Sequence, residues 1–216
     1  MPTLYGVSPS PFVRKVLVVL HEKGLEVDHE PIFTTEAREN WRHMSPLGKI
    51  PFFENQGTVI PDSSVIIAYI EKRHPKNSVY PSDSGDYARA LWFEEYADTA
   101  LRDAVLPFFF ERVIKPMRDE GAPDEARLGQ VASDEIPIIF NYLEEQLGGR
   151  EWLVGDAFSI ADIAVGTQFV NYGHGKESVD AGRWPNLAAY VGRVHARPSF
   201  QAAVAKDEAL FASVPA

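Results

Sequence analysis

The sequence contains no cysteine among its 216 residues. Without a thiol of its own, the chain can form no disulfide, no thiolate metal site and no cysteine nucleophile, so any thiol chemistry must use a thiol supplied from outside. Long apolar runs are also absent. None approaches the roughly 18 residues of a membrane span, and the residues after Met1 lack the basic and apolar segments of a signal peptide. We therefore expect a cytoplasmic protein with no membrane partner.

Positive charge is scarce, with 21 Lys and Arg against 31 Asp and Glu and a formal net charge of -10. A negative surface repels phosphates, so the composition argues against nucleic acid and acidic lipid as general partners. The six histidines show no metal-ligand spacing, and the sequence has no glycine-rich phosphate loop and no Ser-His-Asp motif. We expect no metal. Apolar residues are plentiful instead, at 45% of the chain, and can fill a substantial core.

The first third of the sequence alternates strand and helix signals. The apolar spacing over residues 11–23 predicts a buried helix that stops at Gly24. The turn formers Asn55-Gln56-Gly57 predict a β-hairpin. A further helix is expected to begin at Asp62 or Ser63. The expected strands cover residues 3–7, 27–33, 49–54 and 58–60, and an irregular helix is expected at 35–44. These signals predict a mixed α/β domain over residues 1–76.

The rest of the chain carries helix signals. Residues 77–86 are rich in turn formers and are expected to form a linker, which leaves residues 87–216 as an all-helical domain. Pro107, Pro116 and Pro137 are expected to kink or end helices. The expected helices cover residues 87–117, 124–146, 159–172, 184–196 and a last stretch from Ser199. The predicted fold class is therefore α/β followed by all-α.

Ser10 and Pro11 lie where the first strand is expected to turn into the first helix. A helix start carries a partial positive charge and unpaired N–H groups, so it favours an anion. A thiol placed there ionises more easily, and a serine hydroxyl can donate a hydrogen bond to the thiolate. The alternative is plain helix capping, because serine is a preferred N-cap residue and proline a preferred first helical residue. Ser8 and Arg14 are competing candidates nearby.

Two later positions could hold the rest of an extended ligand. Ile50-Pro51 lies at a strand entry, where proline needs an edge or a first position, and such an edge can bind a peptide by main-chain hydrogen bonds. Asp62-Ser63 precedes a helix and could hold a zwitterion, with Asp62 pairing with its ammonium group and the helix start taking its carboxylate. The alternatives are an ordinary strand-opening proline and a plain helix cap.

A fourth pattern, Ser159-Ile-Ala-Asp162, is a capping box with aspartate in the place of glutamate, and we assign it a structural role. Taken in order, these patterns resemble the cytosolic glutathione transferase family. The matching segments are Ser10-Pro-Phe-Val-Arg-Lys-Val16, Ser45-Pro-Leu-Gly-Lys-Ile-Pro51, Asp62-Ser63 and Ser159-Ile-Ala-Asp162. The resemblance implies a thioredoxin-like N-terminal domain, an all-helical C-terminal domain, glutathione as co-substrate and a homodimer.

The resemblance also implies roles for individual residues. In serine-type members, the serine at the position of Ser10 bonds the glutathione thiolate. The residue before a cis-proline, here Ile50 before Pro51, pairs with the cysteinyl backbone, and Asp62-Ser63 holds the γ-glutamyl end. Many relatives have glutamate where this chain has Asp62. The aspartate side chain is one methylene shorter. The resemblance further implies that Lys49 would reach the glycyl carboxylate. Tyr5 occupies the strand where other members carry a catalytic tyrosine, and it stays an alternative to Ser10 and Ser8.

The expected reaction is attack of the thiolate on a small hydrophobic electrophile. We expect the electrophile pocket to include Phe12 and, from the long helix at residues 87–117, Phe108, Phe109 and Arg112. Glutathione-dependent isomerisation, peroxide reduction and dehalogenation are alternative reactions at the same site. A non-catalytic interaction module on the same scaffold is a further alternative, because a fold does not dictate a function.

Overall fold

The computed structural model describes residues 1–213. It divides into two compact units. One consists of residues 1–79 together with residues 198–211, and residues 80–197 form the body of the other.

The first unit is built on a sheet that, within the described residues, has four strands in the order β2-β1-β3-β4. β1 pairs in parallel with β2 and antiparallel with β3, so that Leu4 lies opposite His29 on one side and Phe53 on the other. The β3–β4 hairpin closes over Gln56 and Gly57, which both have positive φ as two-residue hairpin turns require. The strands are β1 (Thr3–Tyr5), β2 (Asp28–Glu30), β3 (Phe52–Asn55) and β4 (Thr58–Ile60).

Three helices of this unit follow the predicted order. Helix α1 (Pro11–Glu22) buries an almost continuous apolar run from Val16 to Leu20, as its composition predicts. The short helix α2 (Thr34–Asn40) covers a small cluster of Ile32, Ala37 and Phe52. Helix α3 (Ser63–Arg73) starts at the predicted aspartate cap and buries three isoleucines. The β-α-β-α order followed by a hairpin and a helix confirms the predicted mixed domain fold.

The second unit is helical. The helix that carries Pro116 ends at Met117, one residue after the proline, while the helices continue through Pro107 and Pro137. Segments of π-helix occupy residues 110–114 and 131–135, each ending two residues before a proline, Pro116 or Pro137, and a third segment occupies residues 97–101. A proline ring clashes with the carbonyl four residues earlier, and for Pro116 and Pro137 that carbonyl lies within the wider π-helical turn, which accommodates the ring. The helices are α4 (Ser84–Tyr96), α5 (Arg102–Phe109), α6 (Lys115–Met117), α7 (Glu125–Gln130), α8 (Ile136–Leu147), α9 (Ile160–His174) and α10 (Pro185–His195).

The capping box at the start of α9 is present as the sequence predicts. Asp162 is fully buried and accepts hydrogen bonds from the backbone N–H groups of Ser159 (2.9 Å) and Leu153 (3.0 Å). The hydroxyl of Tyr190, on α10, donates to the same carboxylate at 2.9 Å. Asp162 therefore joins α9, α10 and the loop before α9.

The last helix, α11 (Pro198–Ser213), differs from the expected arrangement. The sequence places it in an all-helical domain over residues 87–216, whereas its residues up to Phe211 pack with the first unit. Side-chain contacts attach it there: Ser199 Oγ donates to Glu22 Oε1 at 2.5 Å, and Asp207 pairs with Arg14. Glu22 and Arg14 both lie on α1. No local sequence pattern shows that α11 packs against this helix.

Candidate active site

Ser10 ends the turn between β1 and α1 and occupies the N-cap position of α1. Its backbone is extended, its N–H donates to the Val7 carbonyl at 3.1 Å, and its carbonyl accepts the Arg14 N–H at 2.9 Å. Pro11 is the first helical residue, as predicted. Within the described residues, however, the Ser10 hydroxyl makes no capping hydrogen bond. Its position was predicted correctly, while the plain capping interpretation of its side chain finds no support.

The two alternatives to Ser10 lie in different surroundings. The Ser8 side chain is buried, with 4% of its surface exposed. The Tyr5 ring stacks on Phe52 with centroids 4.7 Å apart and planes 8° apart, and it lies 5.2 Å from the Trp41 ring. Tyr5 is thus part of the aromatic cluster next to α2, while Ser10 is half-buried at the start of α1.

Ile50 and Pro51 lie against the β1–α1 turn. The bond between them is cis. Gly6, at the end of β1, has a φ of 136°, and a Cβ atom there would lie 2.6 Å from Val13 Cγ2 and 3.0 Å from Ile50 Cβ. Only glycine fits such a position, because the backbone conformation is unfavourable for other residues and the space is already filled. The close approach places the Ile50 loop directly beside the turn that carries Ser10.

The loop before Ile50 is held by Ser45. Its hydroxyl donates to the Lys49 carbonyl at 2.7 Å and accepts the Lys49 N–H at 3.0 Å. Gly48 has a φ of 61° and lies close to Arg38, where a Cβ atom would be 2.6 Å from the Arg38 Cγ atom. The main chain of this loop is therefore fixed, while the Lys49 side chain is exposed to solvent.

Asp62 and Ser63 begin α3 beside α1. The Asp62 carboxylate caps the helix by accepting the Val65 N–H at 3.1 Å, and Asp62 is exposed whereas Ser63 is buried. The Lys15 ammonium group, on α1, donates to the Ser64 hydroxyl at 2.9 Å. This bond ties the first turn of α3 to α1, so the structure brings all three predicted segments around α1 within one unit.

Comparison with known proteins identifies the family of this chain. The family model of the glutathione S-transferase N-terminal domain matches residues 4–78 of the sequence. The family model of the C-terminal domain matches residues 109–207. Glutathione S-transferase 3 of Zea mays is 28% identical over 209 residues, which cover 94% of this chain and 92% of that protein.

Solved structures agree with these matches. A glutathione S-transferase from Methylobacterium radiotolerans, in complex with glutathione sulfonate, is 32% identical, covers 94% of each chain and has a TM-score of 0.76. One from Rhodospirillum rubrum is 28% identical, covers 94% of this chain and 91% of its own, and has a TM-score of 0.83. The chain belongs to the glutathione transferase family. The predicted thioredoxin-like and helical fold and the predicted glutathione transferase enzyme are confirmed.

The transferase's expected electrophile-pocket residues are distributed over both units. Phe12 is half-buried in the first turn of α1. Phe108 and Phe109 are buried on α5, and the Phe108 ring packs edge-on against Tyr172 with centroids 5.2 Å apart. These phenylalanines therefore belong to the packed interior. The sequence places them on a long helix but does not show which face of that helix is buried. Their role as pocket walls stays a prediction.

Arg112 is engaged in ion pairs within the helical unit. Its guanidinium donates to the Glu125 carboxylate, to Glu177 Oε1 at 2.7 Å and to the Gly175 carbonyl at 2.7 Å. The hydrogen bonds to Glu125, together with those to Glu177, raise the pKa of Arg112 above its ordinary value. The Arg112 side chain is therefore held by two carboxylates of the protein itself. Its expected role in the wall of the electrophile pocket stays a prediction.

The transferase shows no metal-binding cluster of His, Cys, Asp and Glu among residues 1–213. Over the same residues, we find no helix long and apolar enough to cross a membrane.

One residue pair near the site was missed by the sequence analysis. Arg14 lies close to Ser10 in the sequence, but its partner Asp207 lies 193 residues further along the chain. The signal that could have found Asp207 is its position on the buried face of α11 with Phe200 and Ala203, because an aspartate among buried residues requires a partner.

Proposed function

We propose that this transferase holds the glutathione thiol as a thiolate at Ser10 and that the thiolate attacks an electrophilic carbon of a small hydrophobic compound. The observation that carries the proposal is the Ser10 side chain. It stands at the start of a twelve-residue helix and its hydroxyl makes no capping bond within the described residues. The hydroxyl is therefore available as a donor to an anion at that point.

The electrostatics of the helix start favour the ionised thiol. A thiol has an ordinary pKa of about 8.5. The partial positive charge at the α1 N-terminus stabilises a thiolate, and a hydrogen bond to a charged acceptor is worth roughly 1.5–3 kcal/mol. Because the donor and the helix are already in place before the reaction, catalysis consists of positioning and anion stabilisation.

The remaining parts of glutathione are assigned to the neighbouring segments. The Ile50 main chain, fixed beside the β1–α1 turn, would pair with the cysteinyl backbone. Asp62 would pair with the γ-glutamyl ammonium, because a carboxylate has about four acceptor sites and the Val65 N–H uses one of them. Ser63 would bind the γ-glutamyl carboxylate, and the exposed Lys49 ammonium would reach the glycyl carboxylate. The solved relative with glutathione sulfonate supports glutathione as the co-substrate.

The proposal includes a homodimer, as the family resemblance implies. Trp92 on α4 and Ile138 on α8 are exposed over 54% and 70% of their surfaces. We assign these two exposed apolar side chains to the proposed interface with a second copy.

Titration of the bound thiol tests the proposed function directly. We expect the ultraviolet absorbance of the thiolate, measured on the enzyme–glutathione complex, to titrate at least about one pH unit below that of free glutathione. The same enzyme should conjugate glutathione to a simple aryl halide. A bound thiol that titrates like the free one, together with no turnover across a panel of aryl halides, epoxides and activated alkenes, would refute the proposal.

Asp62→Asn tests the γ-glutamyl contact. Asparagine caps helices about as well as aspartate, so α3 should keep its stability, while the ammonium loses its charged partner. We expect the Kd for glutathione, measured by calorimetry, to rise about five- to tenfold with an unchanged melting temperature. Asp83→Asn, the same change at the cap of α4, is the matched control and should leave glutathione affinity unchanged. Unchanged affinity in Asp62→Asn would reject the assignment.

A further inference from the structure

A buried ion pair joins the last helix of the chain to the first. Arg14 Nη2 and Nε lie 2.6 Å and 3.0 Å from Asp207 Oδ2, and both side chains are fully buried. Ser199 and Glu22 form a further contact between α11 and α1. The two contacts are the same number of residues apart on each helix and run in opposite order. Helix α11 therefore lies antiparallel along α1, with Asp207 beside the end of α1 that begins at Ser10.

The same guanidinium also contacts the turn that carries Ser10. Arg14 Nη2 donates to the Pro9 carbonyl at 3.3 Å, and Pro9 immediately precedes Ser10. The Arg14 backbone N–H closes the first turn of α1 on the Ser10 carbonyl at 2.9 Å. Arg14 is thus bonded to the main chain on both sides of the Ser10 amide unit.

The ion pair with Asp207 fixes the orientation of the Arg14 guanidinium. Burial lowers the pKa of Arg14, and the charge and hydrogen bond of Asp207 oppose that shift, so the partner keeps the buried cation in place. A guanidinium is a planar fork, and two of its nitrogens on one carboxylate oxygen leave it little freedom to rotate. The nitrogen that reaches the Pro9 carbonyl is therefore oriented by Asp207.

We propose that Asp207 is a positioning residue for the Ser10 hydroxyl, acting through the Arg14 guanidinium and the Pro9 carbonyl. The inference rests on the proposed role of Ser10. It adds that the last helix, far from the glutathione segments in sequence, sets the geometry at which the thiolate is held. A shift of a few tenths of an ångström in the Pro9–Ser10 unit moves the donor relative to the sulfur, and catalysis depends steeply on such distances.

Asp207→Asn tests this inference, because asparagine keeps the shape and removes the charge that orients Arg14. We expect kcat to fall on the order of tenfold and the pKa of the bound glutathione thiol to rise, with the KM for glutathione changed only about two- to threefold. The melting temperature will fall as well. Glu208→Gln, a neutralised carboxylate on the exposed side of the same helix, is the control and should keep wild-type kcat and thiol pKa.

Arg14→Lys separates positioning from stability. Lysine keeps a buried charge for Asp207, so this variant should fold even if Asp207→Asn does not, but it lacks the fork that reaches both Asp207 and the Pro9 carbonyl. We expect the same loss of kcat and the same rise of the thiol pKa. If either folded variant, assayed well below its melting temperature, has wild-type kcat and thiol pKa, the pair is structural and the inference is overturned.

A double variant shows whether the effect passes through Ser10. In a Ser10→Ala background, Asp207→Asn should lower kcat no further, because the donor that it positions is already absent. A full additional loss would overturn the inference. Failure of the proposed function has a different signature: Ser10→Ala would then retain wild-type turnover, whereas failure of this inference alone leaves Ser10→Ala impaired and Asp207→Asn at wild-type kcat.

Discussion

Ser10→Ala should lower kcat for glutathione conjugation to an aryl halide by about a hundredfold to a thousandfold, the loss seen when one donor to a reacting anion is removed. The hydroxyl makes no capping bond within the described residues, so its removal should leave the stability of α1 nearly unchanged. Glutathione affinity should stay within several-fold, because we propose that the rest of the peptide binds to the Ile50 and Asp62-Ser63 segments. Steady-state kinetics, thiolate titration and calorimetry on the same preparation check all three expectations.

Two control variants decide between Ser10 and its alternatives. Tyr5→Phe keeps the ring that stacks on Phe52 and removes the hydroxyl, and Ser8→Ala removes the buried hydroxyl of the same turn. Both should retain kcat within about twofold if Ser10 is the donor. Full turnover in Ser10→Ala combined with a large loss in Tyr5→Phe would transfer the role to the tyrosine.

Local signals were sufficient to predict much of the site. Helix starts have short-range signatures, so Ser10-Pro11, Asp62-Ser63 and Ser159 to Asp162 were placed correctly at the beginnings of α1, α3 and α9. The hairpin turn at Gln56-Gly57 was predicted for the same reason, since a tight turn depends on its own residues. Each of these features is decided within a few residues of chain.

Features that depend on distant partners could not be predicted. The prolines were predicted to kink or end helices, and the helix with Pro116 does end at Met117, but the π-helical turns that precede Pro116 and Pro137 have no local sequence signature. Phe108 could be placed on a helix but not on a face of it, and it proves to be interior. The position of α11 beside α1 depends on the pairing of Asp207 with Arg14, and nothing near either residue specifies the other.

Asp162→Ala should produce the largest loss of stability, about 3–4 kcal/mol in the free energy of unfolding. The substitution leaves the buried Leu153 and Ser159 N–H groups and the Tyr190 hydroxyl without their acceptor. Each buried donor left unpaired costs about 1–3 kcal/mol, and partial access of water reduces the sum. Chemical denaturation measures the loss. Asp156→Ala, at an exposed aspartate in the preceding loop, is the control and should change stability by less than about 0.5 kcal/mol.

The contribution of the Asp162 carboxyl group to the free energy of unfolding should depend on pH, and the direction of its pKa shift gives the sign. Burial raises the pKa of Asp162 from 3.8 to about 6, although the hydrogen bonds from Leu153, Ser159 and Tyr190 act in the opposite direction. The folded state therefore binds the proton more tightly than the unfolded state does. The free energy of unfolding of the wild type, relative to Asp162→Asn, should fall as pH rises from near 4 to about 6 and stay constant above that range. An increase over the same interval would mean that the donors outweigh burial and that the carboxylate is stabilising in its charged form.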